Sequence, residues 1–362
     1  MFSTTMNTIT KRLSAPSVPI LAELLDGGWM APLLARAAGL TSEEGGSVAC
    51  SAEVLNHKAG QRCTLRYDLS YVQAASGRKV HASFVGKAYR EHDLARRNYE
   101  WTGRLRETTL GPGTAVAIPA PLLLVPDIGL IISEYVRAPD LGQPLLSSDY
   151  EAPMRLAAGW LARLHSIPPL PGLNVKPPHH EVDKVEGWRQ VVAPAVSSDA
   201  ADKAGRVHES MRRMAERFAG ERRTVIHRDF YHQNLLWDGR RLWVLDFDQL
   251  SIGDPAMDAG HFLAHVQYLA YRTTGRPDSL GKMEACFLSH YEQQSREDVR
   301  ERLPWYKAYT FLKLAATEVT RQRTGWQRNV EALAELAFRE DLSAAAPIAV
   351  LDRSPSIRRH GP

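Results

Sequence analysis

The apolar positions of this chain change their period part-way along it. Between residues 48 and 136 they fall in short runs bounded by turn residues. Runs at 48–55 and 62–71 flank Lys58-Ala59-Gly60-Gln61, a pattern that predicts two antiparallel strands joined by a tight turn. A third strand is expected at 81–87, ending in Lys87. Residues 122–125 and 130–136 predict a further strand pair around the turn Pro126-Asp127-Ile128-Gly129, and Ala138-Pro139-Asp140 then suits a hinge. Between these strands, 93–106 reads as a helix, with Leu94, Arg97, Trp101 and Leu105 on one stripe and Glu100 at its border.

After residue 150 helical spacing takes over, in 154–165, 202–219, 255–271, 281–293, 305–321 and 326–339. Pro168-Pro169-Leu170-Pro171 and Pro177-Pro178-His179-His180 read as an extended connector. One β-hairpin interrupts the helices: Leu235-Leu236-Trp237, an Asp238-Gly239 turn, and Leu242-Trp243-Val244-Leu245 running into Asp246. At the N-terminal end, 19–40 is apolar and helix-like but is broken by Gly27-Gly28 and Pro32, so a leading helical segment packed on the strands is expected. The expected domains are an N-terminal extension at 1–44, a β-sheet plus helix at 45–137, a mostly helical part at 138–342 and a loose tail at 343–362.

Composition narrows the class. At 362 residues the chain can bury the cores of two lobes, and its net charge of +4 gives no argument for nucleic acid. No unbroken apolar run could span a membrane, so no membrane partner is expected. Cys50, Cys63 and Cys286 are too few and too dispersed for a disulfide framework or a zinc cluster. They fit a reducing, cytoplasmic setting. Oligomeric state leaves no trace in the sequence.

The chemistry concentrates in Val225 to Asp258. His227-Arg228-Asp229 followed by Asn234 gives H-x-D-x-x-x-x-N, a carboxylate able to take a proton from an attacking hydroxyl and an amide oxygen able to bind Mg²⁺. Asp246 supplies a second hard oxygen, of the kind Mg²⁺ prefers. The hairpin folds Asn234 and Asp246 toward each other at its open end. These residues, with Asp246-Phe247-Asp248 and Gly253-Asp254-Pro255-Ala256-Met257-Asp258, resemble the aminoglycoside phosphotransferase-like small-molecule kinases. The resemblance runs over roughly 45–340 and is highly specific only in 225–265. Arg228 departs from the family's usual Gly, and Asp248 stands where protein kinases carry the Gly of D-F-G.

That resemblance implies an α+β, bilobal protein kinase-like fold, with a small antiparallel β N-lobe and a larger, mostly helical C-lobe. It implies ATP and Mg²⁺ as cofactors and a hydroxyl acceptor. Asp229 takes the part of the base, Asn234 and Asp246 the metal ligands, and His227 and Asp258 the support of the catalytic loop; a helix-dipole role is the plain alternative for Asp258. Lys87 becomes the lysine facing the nucleotide phosphates, with Glu100 as its expected ion-pair partner and Glu91 and Glu107 as alternatives. Gly60 would let the first hairpin approach the phosphates, and Glu134, Tyr135 and Val136 would border adenine. His165 reads as a satisfied core residue beneath the catalytic loop. His261 and His265, four apart but without the glutamate of a zinc protease motif, read as structural, and Arg212, Arg213, Arg217, Arg222 and Arg223 as a solvated basic face.

Three functions compete at this stage. The first is a kinase of a small-molecule hydroxyl on an antibiotic, sugar or metabolite. The second is a peptide or protein Ser/Thr kinase, favoured by H-R-D and weakened by the lack of A-P-E downstream. The third is a nucleotide-binding pseudokinase, against which the full set Lys87, Asp229, Asn234 and Asp246 argues.

Overall fold

The computed structural model describes residues 21–40, 48–72, 76–110, 114–147 and 149–340; the expected tail and much of the N-terminal extension lie outside these. Two helices come first, α1 (Leu21–Leu25) and α2 (Gly27–Ala37). Asp26 starts α2 as its N-cap, accepting from the amides of Gly28 at 2.8 Å and Trp29 at 3.2 Å. Leu21, Leu24, Met30 and Leu34 are buried in one cluster with Leu65, Tyr67 and Leu69. The Tyr67 hydroxyl donates to the Leu24 carbonyl at 2.9 Å, so the polar end of this buried ring is satisfied.

Next come β1 (Ala49–Lys58), β2 (Arg62–Val72), β3 (Lys79–Tyr89), the helix α3 (His92–Thr109), then β4 (Val116–Ala117), β5 (Pro121–Val125) and β6 (Leu130–Glu134). Five of these strands form an antiparallel sheet in the order β1-β2-β3-β6-β5. Strand β2 alternates strictly, with Cys63, Leu65, Tyr67 and Leu69 buried and the residues between them more exposed. Gly60 closes the β1–β2 turn at φ 68°, a left-handed conformation that glycine adopts without Cβ strain. Beyond β6, α4 (Gly142–Leu145) precedes α5 (Glu151–Leu164).

The described residues form two compact units, one from residues up to 175 together with 223–299, the other from 176–222 together with those from 300 on. In the second unit lie α6 (Pro178–Val192) and α7 (Ser198–Arg217). The reading of 177–180 as extended connector is corrected here. Pro178 occupies the first helical turn, where its missing N–H costs nothing and its fixed φ favours helix.

Returning to the first unit, the chain adds β7 (Thr224–Ile226), β8 (Leu235–Trp237), β9 (Leu242–Val244), β10 (Ser251–Gly253), α8 (Ala256–Thr274) and α9 (Gly281–Gln294). The β8–β9 hairpin turns on Asp238, whose carboxylate accepts from the amides of Arg240 at 2.9 Å and Arg241 at 2.7 Å, with Gly239 at φ 91°. Strand β4 pairs in parallel with β9, and β7 pairs antiparallel with β10. Two last helices, α10 (Leu303–Arg321) and α11 (Trp326–Arg339), complete the second unit. There Trp305 donates to the Met211 carbonyl at 3.1 Å, and the buried Glu181 accepts from the Tyr309 hydroxyl at 2.6 Å. Among the described residues no helix is long and apolar enough to cross a membrane.

Candidate active site

The segment between β7 and β8 is held by one buried carboxylate. Asp258, in the first turn of α8, accepts from the backbone amides of His227 at 2.7 Å and Arg228 at 2.6 Å and pairs with His165 Nε2 at 3.1 Å. Burial by itself would raise its pKa; the His165 bond, the nearby imidazoles and the His227 amide outweigh that and hold it below the usual carboxylate value. His165 is itself satisfied, its Nδ1 lying 2.7 Å from the Tyr291 hydroxyl.

These two amides force a tight turn, in which Arg228 sits at φ 65°. A side chain there is strained by about 1–2 kcal/mol, which explains why a glycine suits this position in the related motif. The His227 ring locks the turn further. Its Nε2 lies 3.0 Å from the Leu245 carbonyl, and its Nδ1 accepts from the Asp229 amide at 3.3 Å. Beneath the turn, Phe230 stacks on Trp160 of α5 with centroids 5.8 Å apart.

Asn234 and Asp246 meet as the hairpin requires. The Leu245 amide donates to the Asn234 carbonyl at 2.9 Å, which sets Asp246 beside Asn234. The Asn234 side-chain amide donates to the Asp229 carbonyl at 2.9 Å and lies 3.4 Å from its carboxylate, so its own oxygen is the end left for a cation. Asp246, like Arg228, adopts a left-handed backbone, at φ 63°. One amide oxygen and one carboxylate fit a magnesium ion that takes its remaining ligands from phosphate and water.

Lys87 of β3 reaches this group. Its Nζ lies 2.8 Å from Asp246 Oδ1 and 2.7 Å from Asp248 Oδ1. Arg62 of β2 pairs with Asp246 at 3.4 Å and also with Asp248. Tyr89 and Asn98 donate to Asp248 Oδ1 at 2.6 and 3.2 Å. Burial lowers the Lys87 pKa, with Asp246 opposing it. For Asp246, burial works upward, and the charges of Lys87 and Arg62 overcome it to leave the pKa below the ordinary value.

Glu100 is not part of this group, and the expected Lys87–Glu100 pair is corrected. Successive helical residues are turned by about 100°, so Glu100 lies on the exposed face of α3, while Asn98, 3 % exposed, faces inward. Glu91 and Glu107 are exposed as well.

A cleft of about 430 Å³ opens beside these charges, a size suited to a small molecule. Leu55, Val85, Ile118, Ile131, Leu236 and Val244 give it apolar walls, and Glu134, Tyr135, Val136, Lys87, Asn234 and Asp246 also line it. Gly60 is not among its lining residues; its carbonyl accepts from Arg90 at 3.5 Å.

Sequence reasoning passed over Arg62, Tyr89, Asn98 and the contacts of Asp248, which come from separate elements and share no local spacing. It also left His261 as structural, whereas His261 Nε2 lies 3.6 Å from Asp229 Oδ1. A signal existed: residue 261 is three beyond Asp258, on the same helical face.

The phosphotransferase enzyme family's sequence profile matches residues 71–280. The chain therefore belongs to that family and is a phosphotransferase. Comparison with curated proteins returns no significant match. Among solved structures, a thermostable mutant of aminoglycoside phosphotransferase APH(4)-Ia is 14 % identical with a TM-score of 0.54, over 85 % of this chain and 98 % of that one. Amicoumacin kinase hAmiN, solved with AMP-PNP, Ca²⁺ and Ami, is 12 % identical with a TM-score of 0.53, over 85 % and 92 %. Choline kinase LicA from Streptococcus pneumoniae is 18 % identical with a TM-score of 0.50, over 80 % and 92 %. At such identities the likeness shows the fold, the α+β, bilobal protein kinase-like class.

Proposed function

We propose that this protein moves the γ-phosphate of ATP to a hydroxyl of a small molecule, with Mg²⁺ as its metal. The observation that carries the reading is the convergence of Lys87, Asn234 and Asp246 on one cleft, with Asp229 hydrogen-bonded to Asn234 at its edge. Glu134, Tyr135 and Val136 line that cleft and serve as the adenine border.

In this reading Asp229 orients the acceptor hydroxyl and takes its proton as the oxygen attacks the γ-phosphorus, in line with the bridging oxygen that leaves with ADP. Asn234 and Asp246 hold the metal, which when bound neutralises charge developing on the phosphates. Lys87 steers the phosphates, and His227 and Asp258 fix the direction of Asp229 through the backbone. A cytoplasmic setting is proposed from cysteine usage, and burial pushes the thiols of Cys50 and Cys63 up to about 11, which makes them poor nucleophiles.

The three structures above are named for three different acceptors, so a broad acceptor panel discriminates among them. The test is transfer from γ-labelled ATP with Mg²⁺ to a panel of aminoglycosides, macrolides, sugars, amino alcohols, nucleosides and Ser/Thr peptides, with Asp229→Ala as blank. Label on one small-molecule class, absent from the blank, is the expected result. Label on peptides alone, or nucleotide binding with no transfer to anything, contradicts it.

A further inference from the structure

We infer that Asp248, two residues beyond the proposed metal ligand Asp246, is the positioning residue of Lys87, in place of a glutamate from α3. The inference rests on the phosphate-binding role of Lys87 proposed above. Asp248 is the hub of the charge group: Lys87, Arg62, Tyr89 and Asn98 all reach its carboxylate, from β2, β3 and α3. Its side chain is only 5 % exposed, so these contacts act with little competition from water.

Charge decides which carboxylate keeps the lysine. Lys87 touches Asp246 and Asp248 about equally, at 2.8 and 2.7 Å. With Asp246 engaged as a metal ligand, its charge would be taken up and Asp248 would be the anion left to fix Lys87. Helix α3 cannot supply one, because its inward residue is the neutral Asn98 and Glu100 is exposed. Asn98 contributes a donor instead: its amide holds Asp248 at 3.2 Å and the Tyr89 oxygen at 3.3 Å. The anion thus comes from the D-x-D segment, and the helix braces it.

The test is a double-mutant cycle on the full chain, read as affinity for ATP and GTP in Mg²⁺, each beside its parent nucleoside. Asp248→Asn is expected to weaken triphosphate binding about tenfold or more and to leave nucleoside binding within about twofold. Lys87→Ala is expected to do the same, and the double variant to lose little beyond either single change. Asn98→Glu, which returns a carboxylate to the helix, is expected to restore triphosphate affinity to Asp248→Asn. Equal weakening of triphosphate and nucleoside, or losses that multiply in the cycle, would each overturn the inference, the latter by showing that Asp248 acts independently of Lys87. If Asn98→Glu/Asp248→Asn does not fold, the Lys87–Asp248 cycle still decides. A parent protein that binds neither triphosphate overturns the functional reading as well; one that binds while Asp248→Asn binds equally overturns this inference alone.

Discussion

Replacing Asp258 by Asn exchanges one carboxylate oxygen for an NH₂ group and tests how the active-site turn is held. The carboxylate accepts from two backbone amides, at 2.7 and 2.6 Å, and from His165 at 3.1 Å. Hydrogen bonds to a charged acceptor are worth about 1.5–3 kcal/mol each. Asparagine keeps one carbonyl oxygen for one amide and turns an NH₂ group toward the other, so one charge-assisted bond is lost and a buried N–H is stranded. Together these amount to about 3–4 kcal/mol, a large part of a typical stability of about 5–15 kcal/mol. Urea unfolding, compared at constant m-value, gives the loss directly. Turnover is expected to fall about tenfold or more, because Arg228 is no longer held in its left-handed turn and Asp229 follows it. A second readout is pH. The folded pKa of Asp258 is lowered, so its contribution is present above the unfolded value near 4 and is lost as pH falls through the folded value. The parent therefore loses more stability below about pH 4 than Asp258→Asn does. A loss under about 1 kcal/mol, with turnover intact, would refute the claim that this carboxylate braces the turn.

Two further outcomes follow from strain and burial. Because Arg228 sits at φ 65°, Arg228→Gly is expected to be about 1 kcal/mol more stable than Arg228→Ala, the reverse of the order in a helix, as thermal or urea unfolding would show. Burial lowers the pKa of His232 to about 4 against the opposing pull of Asp140. Its unfolded state takes up a proton first as pH falls, so from pH 7 to 5 it removes about 2 kcal/mol of stability. That part of the pH slope should be missing in His232→Gln.

How far the sequence carried depends on whether a signal was local. Strand β2 announced itself by strict alternation, and the Asp238-Gly239 turn by its residues, so the approach of Asn234 to Asp246 could be foreseen. Asp258 was legible through its motif. The first helix of the second unit was hidden, because Pro177-Pro178 looks like a breaker until Pro178 is placed in a first helical turn. Glu100 failed for want of the helix phase: the stripe located α3 but not which residue faces Lys87. The group around Asp248 draws on Arg62, Lys87, Asn98 and a carboxylate some 150 residues or more beyond them, and no spacing in the chain records that meeting. Nor does a composition shift mark the interleaving of the two compact units, since each is assembled from separate stretches of the chain.

The central claim is that Asp229 acts on the acceptor while other residues hold the nucleotide. Asp229→Asn keeps the shape of the side chain and removes its basicity, so nucleotide affinity and single-turnover transfer should be measured on that one variant. The account predicts affinity within about twofold of the parent and transfer slowed by about a hundredfold or more. Transfer at the parent's rate would contradict it.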